Sequence, residues 1–222
     1  MGKAKRLRAS RAGASGTPPT KDEVLRRTRE MLAPAQRGLS DLQDHNASLR
    51  PAGIYNVAVF GRSVPLVLEN MRSVDRPGFN QWYERYEAEM ASDPVMSYFT
   101  GLRNEILKEG PPAPTASAYI EHLDGADIAR LTDSPPPGAK GFFIGDSLGG
   151  SGWEIEMPDS KTAKFYVQIP PSIRVKTSLH LPDPPNEHRG KTLADTSIES
   201  LAGLYLAYLE KLVADAEDHF TP

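Results

Sequence analysis

Apolar residues recur at steps of three and four from Val24 through Thr28, Met31, Ala35, Leu39, Leu42 and Leu49, which marks one face of a helix. Thr20-Lys21-Asp22-Glu23 before it fits a capping box, in which hydroxyl and carboxylate each satisfy an orphan amide. Pro34 and Gly38 predict a kink or break in this helix. A second helix opens at Pro51, with Ile54, Val57, Ala58, Phe60, Val64, Val67, Leu68 and Met71 as its apolar positions and Pro65 as a kink. Arg62 interrupts that stretch and reads as a guanidinium that snorkels or pairs with a neighbouring carboxylate. A third helix starts near Phe79 and runs through Trp82, Tyr83, Tyr86 and Met90. The fourth spans Pro94 to about Glu109, capped by Asp93 and ended by Gly110-Pro111-Pro112, with Val95, Met96, Phe99, Leu102 and Ile106 facing inward.

Residues 111–118 read as a linker, and beyond them the period drops to two. Trp153, Ile155 and Met157 alternate with glutamates, a Pro158-Asp159-Ser160 turn follows, and Phe165, Val167 and Ile169 alternate again: a hairpin with one buried face. Ile173 to Leu181 repeats the pattern, with Arg174, Lys176, Ser178 and His180 on a basic outer face that can meet RNA or stay solvated. Ala118–Leu123 and Gly141–Ile144 are further short apolar runs with strand character. A second capping box, Thr196 to Glu199, opens a closing helix carrying Ile198, Leu201, Tyr205, Tyr208, Leu212 and Ala216 on one face. That helix is expected to pack on the sheet or return to the bundle, with a helix-capped sheet the preferred arrangement. The pattern predicts an α+β protein: an N-terminal helical bundle over 20–110, then a small antiparallel sheet with a C-terminal helix over 111–222.

Composition narrows the chemistry. The chain has 222 residues, 39% of them hydrophobic, enough to bury a core. With no cysteine, disulfide scaffolds, thiolate metal sites and thiol catalysis are excluded. The net charge of −3 hides an asymmetry. Lys3, Lys5, Arg6, Arg8 and Arg11 stand in a stretch without acids, so residues 1–19 read as a disordered basic tail. It serves either as an electrostatic arm for nucleic-acid phosphates or as a solvated start. No stretch has the length or purity of a secretory signal or a membrane span, and the expected location is cytoplasmic, with no membrane partner.

The most informative polar position is Arg103, at the edge of the apolar face of the fourth helix and next to Asn104. The stretch FGRSVPLVLENM, followed by FNQWYERYEAEMASDPVMSYFTGLRNEILKEG, resembles the helical HEPN superfamily (higher eukaryotes and prokaryotes nucleotide-binding). Its members carry Arg, often Asn, three other residues and then His on a late helix. Arg103 and Asn104 match that motif, and Lys108 stands where the histidine would be. The resemblance implies a helical bundle over about 20–110, pairing as a homodimer through the motif helix, with RNA or a nucleotide as partner. Many members cut RNA without a metal; others are inactive binding or assembly modules.

Lysine for histidine changes the chemistry. Lysine titrates near 10.4, so roughly one molecule in 2,500 is neutral at pH 7. Lowering its pKa enough to serve as a base costs about 4–5 kcal/mol and needs deep burial or a like charge; Glu105 and Glu109 instead favour the cation. The resulting expectation is a non-catalytic HEPN-like binding or assembly module, with Arg103, Asn104 and Lys108 at its seam or phosphate site. The alternatives are a weak metal-independent endoribonuclease using Arg103 and Lys108, and an interaction protein with no nucleic-acid role.

Other motifs carry less. Gly145-Asp146-Ser147-Leu148 spells the nucleophile block of GDSL esterases, yet only 75 residues follow Ser147 and the partner Asp-x-x-His spacing is missing. The segment reads as a mobile turn before the Trp153 strand. His45, His122, His180, His188 and His219 form no pair at helical ligand spacing, so neither a metal nor another cofactor is expected.

Overall fold

A computed structural model of the chain describes residues 19–221. Helix α1 runs Lys21–Gln43, capped by the Thr20 hydroxyl, which accepts from the Glu23 amide. Neither Pro34 nor Gly38 breaks it. Gly38 is instead a contact point: a Cβ there would stand 2.7 Å from the Gly53 carbonyl oxygen, and one on Gly53 would stand 2.7 Å from the Gly38 carbonyl oxygen. Two bare backbones thus let α1 lie directly on α2, Arg50–Leu68.

Asp75 caps α3 (Arg76–Ser92), which begins three residues before Phe79 because Pro77 occupies its first turn. Helix α4 spans Pro94–Glu109 as expected, with Asp93 at its cap and Gly110 at its end. Asp93 does more than cap. Besides the Val95 and Met96 amides it accepts the Arg189 amide at 2.8 Å and meets His188 Nδ1 at 3.0 Å, pinning a distant loop to the start of α4.

The α+β character holds, but the sheet is divided. Among the described residues the strands form three small antiparallel sheets: β1 (Thr115–His122) with β5 (Arg174–His180); β2 (Ala139–Ile144), β3 (Ser151–Glu156) and β4 (Thr162–Tyr166) in that order; and β6 (Glu187–His188) with β7 (Lys191–Thr192). The expected linker is shorter than its proline-rich composition suggests, since β1 starts at Thr115. A short helix α5, Gly125–Thr132, has a capping box of its own, Asp124 with Asp127. The basic face of β5 is partly neutralised: Arg174 meets Glu121 at 2.9 Å and Lys176 meets Asp195 at 3.5 Å.

The closing helix α6, Ile198–Phe220, is a member of the helical bundle rather than a lid on the sheet. Leu201, Tyr205, Leu209 and Leu212 join Leu42, Val57, Phe79 and Phe99 in one buried cluster, which Leu179 and Leu181 extend from the β5 side. Burying so many large side chains, each contributing about 1.5–3 kcal/mol, outweighs what a two-stranded sheet could offer this helix. No helix among the described residues is long and apolar enough to cross a membrane.

Candidate functional site

Arg103 lies on the α4 surface, half-buried, and its Nη1 donates to Asn104 Oδ1 at 3.0 Å. Asn104 and Lys108 are exposed on the same helix. Among the described residues neither Arg103 nor Lys108 has a carboxylate within 4.0 Å. The tail residues Lys3, Lys5, Arg6, Arg8 and Arg11 lie outside the described residues.

The bundle itself holds a cavity of about 330 Å³. Its walls come from four helices. Arg62 and Pro65 of α2 form one side, and Tyr83, Glu87 and Met90 of α3 another. Met96, Ser97 and Thr100 of α4 and Tyr205 of α6 close it. Glu69, just past α2, stands at the rim.

The floor is unusual for a helical core. Tyr205 and Tyr83 are 1% and 2% exposed, yet no side chain among the described residues hydrogen-bonds either hydroxyl. The Tyr205 ring is held on both sides. It stacks on Phe99 with centroids 4.3 Å apart, and a Cβ on Gly61 would stand 2.5 Å from its Cε1. Gly61 is therefore the residue that lets the ring, and with it the hydroxyl, reach the cavity.

Burial pushes both tyrosines well above their ordinary value of 10. At Tyr83 the Glu69 carboxylate adds to that rise, and the Arg62 charge opposes it at both tyrosines. Both phenols stay protonated at neutral pH and act as donors, not bases. Glu69 is committed to Arg72 at 2.5 Å. Arg62 has no carboxylate within 4.0 Å among the described residues. No histidine lines the space. The arrangement offers a polar group two phenols and a guanidinium, with the Glu87 carboxylate in the same lining.

Of the sequence expectation for Arg62, snorkelling or pairing, the pairing is not seen among the described residues, and the half-buried side chain lines the cavity instead. The signal was present as a cation amid apolar helix positions, but the cavity depends on Tyr205, more than 140 residues away.

The remaining clusters have structural explanations. The Gly145–Gly152 segment, expected as a mobile turn, is tied down by Asp146: its Oδ1 accepts the Leu148 and Gly150 amides, and its Oδ2 takes Lys164 Nζ at 2.7 Å and Tyr166 OH at 2.8 Å. Ser147 is exposed on that loop. Ser117 Oγ is 3.2 Å from His180 Nε2 on the open β1–β5 face, and among the described residues no carboxylate lies within 4.0 Å of that histidine to orient it. His122, Asp124 and Asp127 bring one potential ligand atom each within 4.8 Å of one another, a grouping that spacing rules for histidine pairs do not detect. Their bonds are spent locally: Asp124 and Asp127 cap α5, Asp127 also takes Arg130 at 3.2 Å, and His122 leans on Asp124 at 3.5 Å.

No family model, curated protein or solved structure matches the chain.

Proposed function

We propose that this protein is a non-catalytic binding module whose ligand site is the Arg62 cavity in the helical bundle. One observation carries the reading: two buried tyrosines and an arginine without a carboxylate partner among the described residues line one space large enough for a small molecule. The lining has no histidine and its Glu69 is engaged by Arg72, which is why binding is favoured over turnover.

A fragment library of mixed charge, screened by ligand-observed NMR against the wild type and Thr100→Trp, tests this reading. The tryptophan fills the cavity mouth, and near-UV circular dichroism checks that the variant folds. Fragments that bind the wild type and lose binding in the variant support the reading. Equal binding to both proteins, or none to either, removes it.

A second reading places an RNA or nucleotide contact on α4, as the HEPN-like resemblance implies. It is favoured by the availability of Arg103 and Lys108, which no carboxylate among the described residues engages. Under this reading RNA affinity falls steeply with salt and drops in an Arg103→Ala/Lys108→Ala double variant. Robust RNA cleavage that Arg103→Ala abolishes with or without EDTA would favour the endoribonuclease alternative instead. Absence of RNA binding at low salt ends both.

A further inference from the structure

The chemistry of the cavity selects a class of ligand. We infer that it takes a small organic monocarboxylate, its carboxylate on Arg62 and the hydroxyls of Tyr83 and Tyr205, its apolar body against Pro65, Met90 and Met96. The inference rests on the cavity being the binding site, and it adds the charge and shape of what enters.

Three features of the lining decide the class. Arg62, Tyr83 and Tyr205 line the same space, in which Arg62 offers a planar fork of N–H groups that matches two carboxylate oxygens and each phenol carries one O–H. A neutral amide could use some of these donors but would leave the guanidinium without a counter-charge in a partly desolvated place. An ammonium group would face that guanidinium directly.

The second feature is the count of charges. One arginine neutralises one negative charge, and the cavity has no other cation in its lining. Glu87 stands at the mouth, and Glu69 beside it is already neutralised by Arg72. A phosphate dianion would bring a second charge that nothing in the lining balances, toward the Glu87 carboxylate. A monoanion brings only the single charge that Arg62 can meet, and its apolar body can lie toward Glu87 in place of a second charge.

The third feature is the apolar wall. Pro65 and Met96 are buried and Met90 is half-buried, on α2, α4 and α3 respectively. Two methionines let this wall adapt to aliphatic or aromatic bodies of differing shape. A volume of about 330 Å³ is at the small end of the range for ligand sites, which suits a compact acid and not a nucleotide.

The experiment is isothermal titration of the whole protein with benzoate, benzamide, benzylamine and phenyl phosphate, four probes with one ring and different head groups. Benzoate is expected to bind at least about tenfold more tightly than benzamide, the difference a charge-assisted contact produces. Arg62→Gln should erase that preference. Tyr205→Phe, which keeps the ring and removes only the hydroxyl, should weaken benzoate several-fold while leaving the melting temperature close to that of the wild type. Benzamide equal to benzoate, benzylamine or phenyl phosphate tighter than benzoate, or an unchanged preference in Arg62→Gln each overturns the carboxylate assignment while leaving a binding cavity in place. Binding of none of the four also overturns it, and the Thr100→Trp comparison then decides separately whether the cavity binds anything.

Discussion

The Arg50 guanidinium stands 3.6 Å from the Glu199 carboxylate, joining the first turn of α2 to the first turn of α6 across 149 positions of sequence. The same Nη1 donates to the Leu148 carbonyl at 2.7 Å, so one side chain ties two bundle helices to the glycine-rich loop. Gly149 has a φ of +71° and would place a Cβ 2.5 Å from that nitrogen, so only glycine serves there. The pair is not a perfect one. Arg50 Nε is buried without a partner among the described residues.

Removing one half of this link leaves the other stranded. Arg50→Ala is expected to cost about 2–4 kcal/mol, from an uncompensated Glu199 and a Leu148 carbonyl that loses its donor. Because the pair carries an orphaned nitrogen of its own, the double variant Arg50→Met/Glu199→Leu should recover most of that loss. Urea denaturation of the three proteins is the measurement, and a double variant as unstable as the single one contradicts this account.

Stability should respond to pH in two opposing steps. Burial holds the Glu199 carboxyl above its ordinary 4.5, against the pull of its own amide and of Arg50. An acid raised in the fold binds its proton more tightly there than in the unfolded chain, so stability rises as pH falls through that raised value toward 4.5. For Asp93 and Asp146 burial pushes upward but is outweighed, by the Arg189 and Met96 amides with His188 in one case and by Lys164 with the Gly150 amide in the other. Both end below the ordinary 3.8, and the stability they contribute is lost as pH falls through their lowered values. A urea-midpoint series in pH should therefore rise slightly on mild acidification and fall below about pH 4. Glu199→Gln should remove the rise and keep the fall.

Two helical glycines make opposite predictions. Gly61→Ala drives a methyl into a Tyr205 ring that Phe99 prevents from retreating, at a cost of about 1–3 kcal/mol. It should also weaken benzoate binding. Gly101 in α4 has nothing within 4 Å of its notional Cβ, and Gly101→Ala should stabilise the protein by about 0.5–1 kcal/mol. Thermal melts of the two variants shifting in the same direction would contradict the packing described around Tyr205.

The loop at Asp146 offers a test of order against reactivity. Asp146→Ala removes the acceptor for two amides, an ammonium and a phenol, and should cost about 2–3 kcal/mol and speed hydrogen exchange at the Leu148 and Gly150 amides. Ser147→Ala should leave stability unchanged, since that side chain is exposed. Hydrolysis of a p-nitrophenyl ester that Ser147→Ala abolishes would restore the esterase motif to consideration.

Local rules read much of this chain correctly. Asp93-Pro94 at one end and Gly110 at the other delimit α4 because cap chemistry acts over three or four residues. Alternation placed β3 and β5 because one face of each is more buried than the other, but in β4 the expected inward residue Phe165 is exposed and Tyr166 is half-buried, its hydroxyl bonded to Asp146. Where the expectation failed, a distant partner intervened. Thr196 was the expected cap of α6, but Ser197 fills the position and accepts the Ser200 amide, while Glu199 turns instead toward Arg50 and the Leu179 amide. Gly38 looked like a helix breaker and is a contact surface for Gly53.

The sequence by itself determined the four N-terminal helices, the limits of α4 and the presence of a closing helix, since those depend on neighbours a few residues apart. It also determined that thiol chemistry is absent and that Arg62 and Arg103 interrupt apolar faces. Only the tertiary structure decided that α6 lies within the bundle, and that Arg62, not Arg103, shares a cavity with two buried phenols. The reason is physical: a guanidinium's surroundings are set by the helices packed around it, and that packing is chosen by the burial of the whole chain, not by the residues beside it.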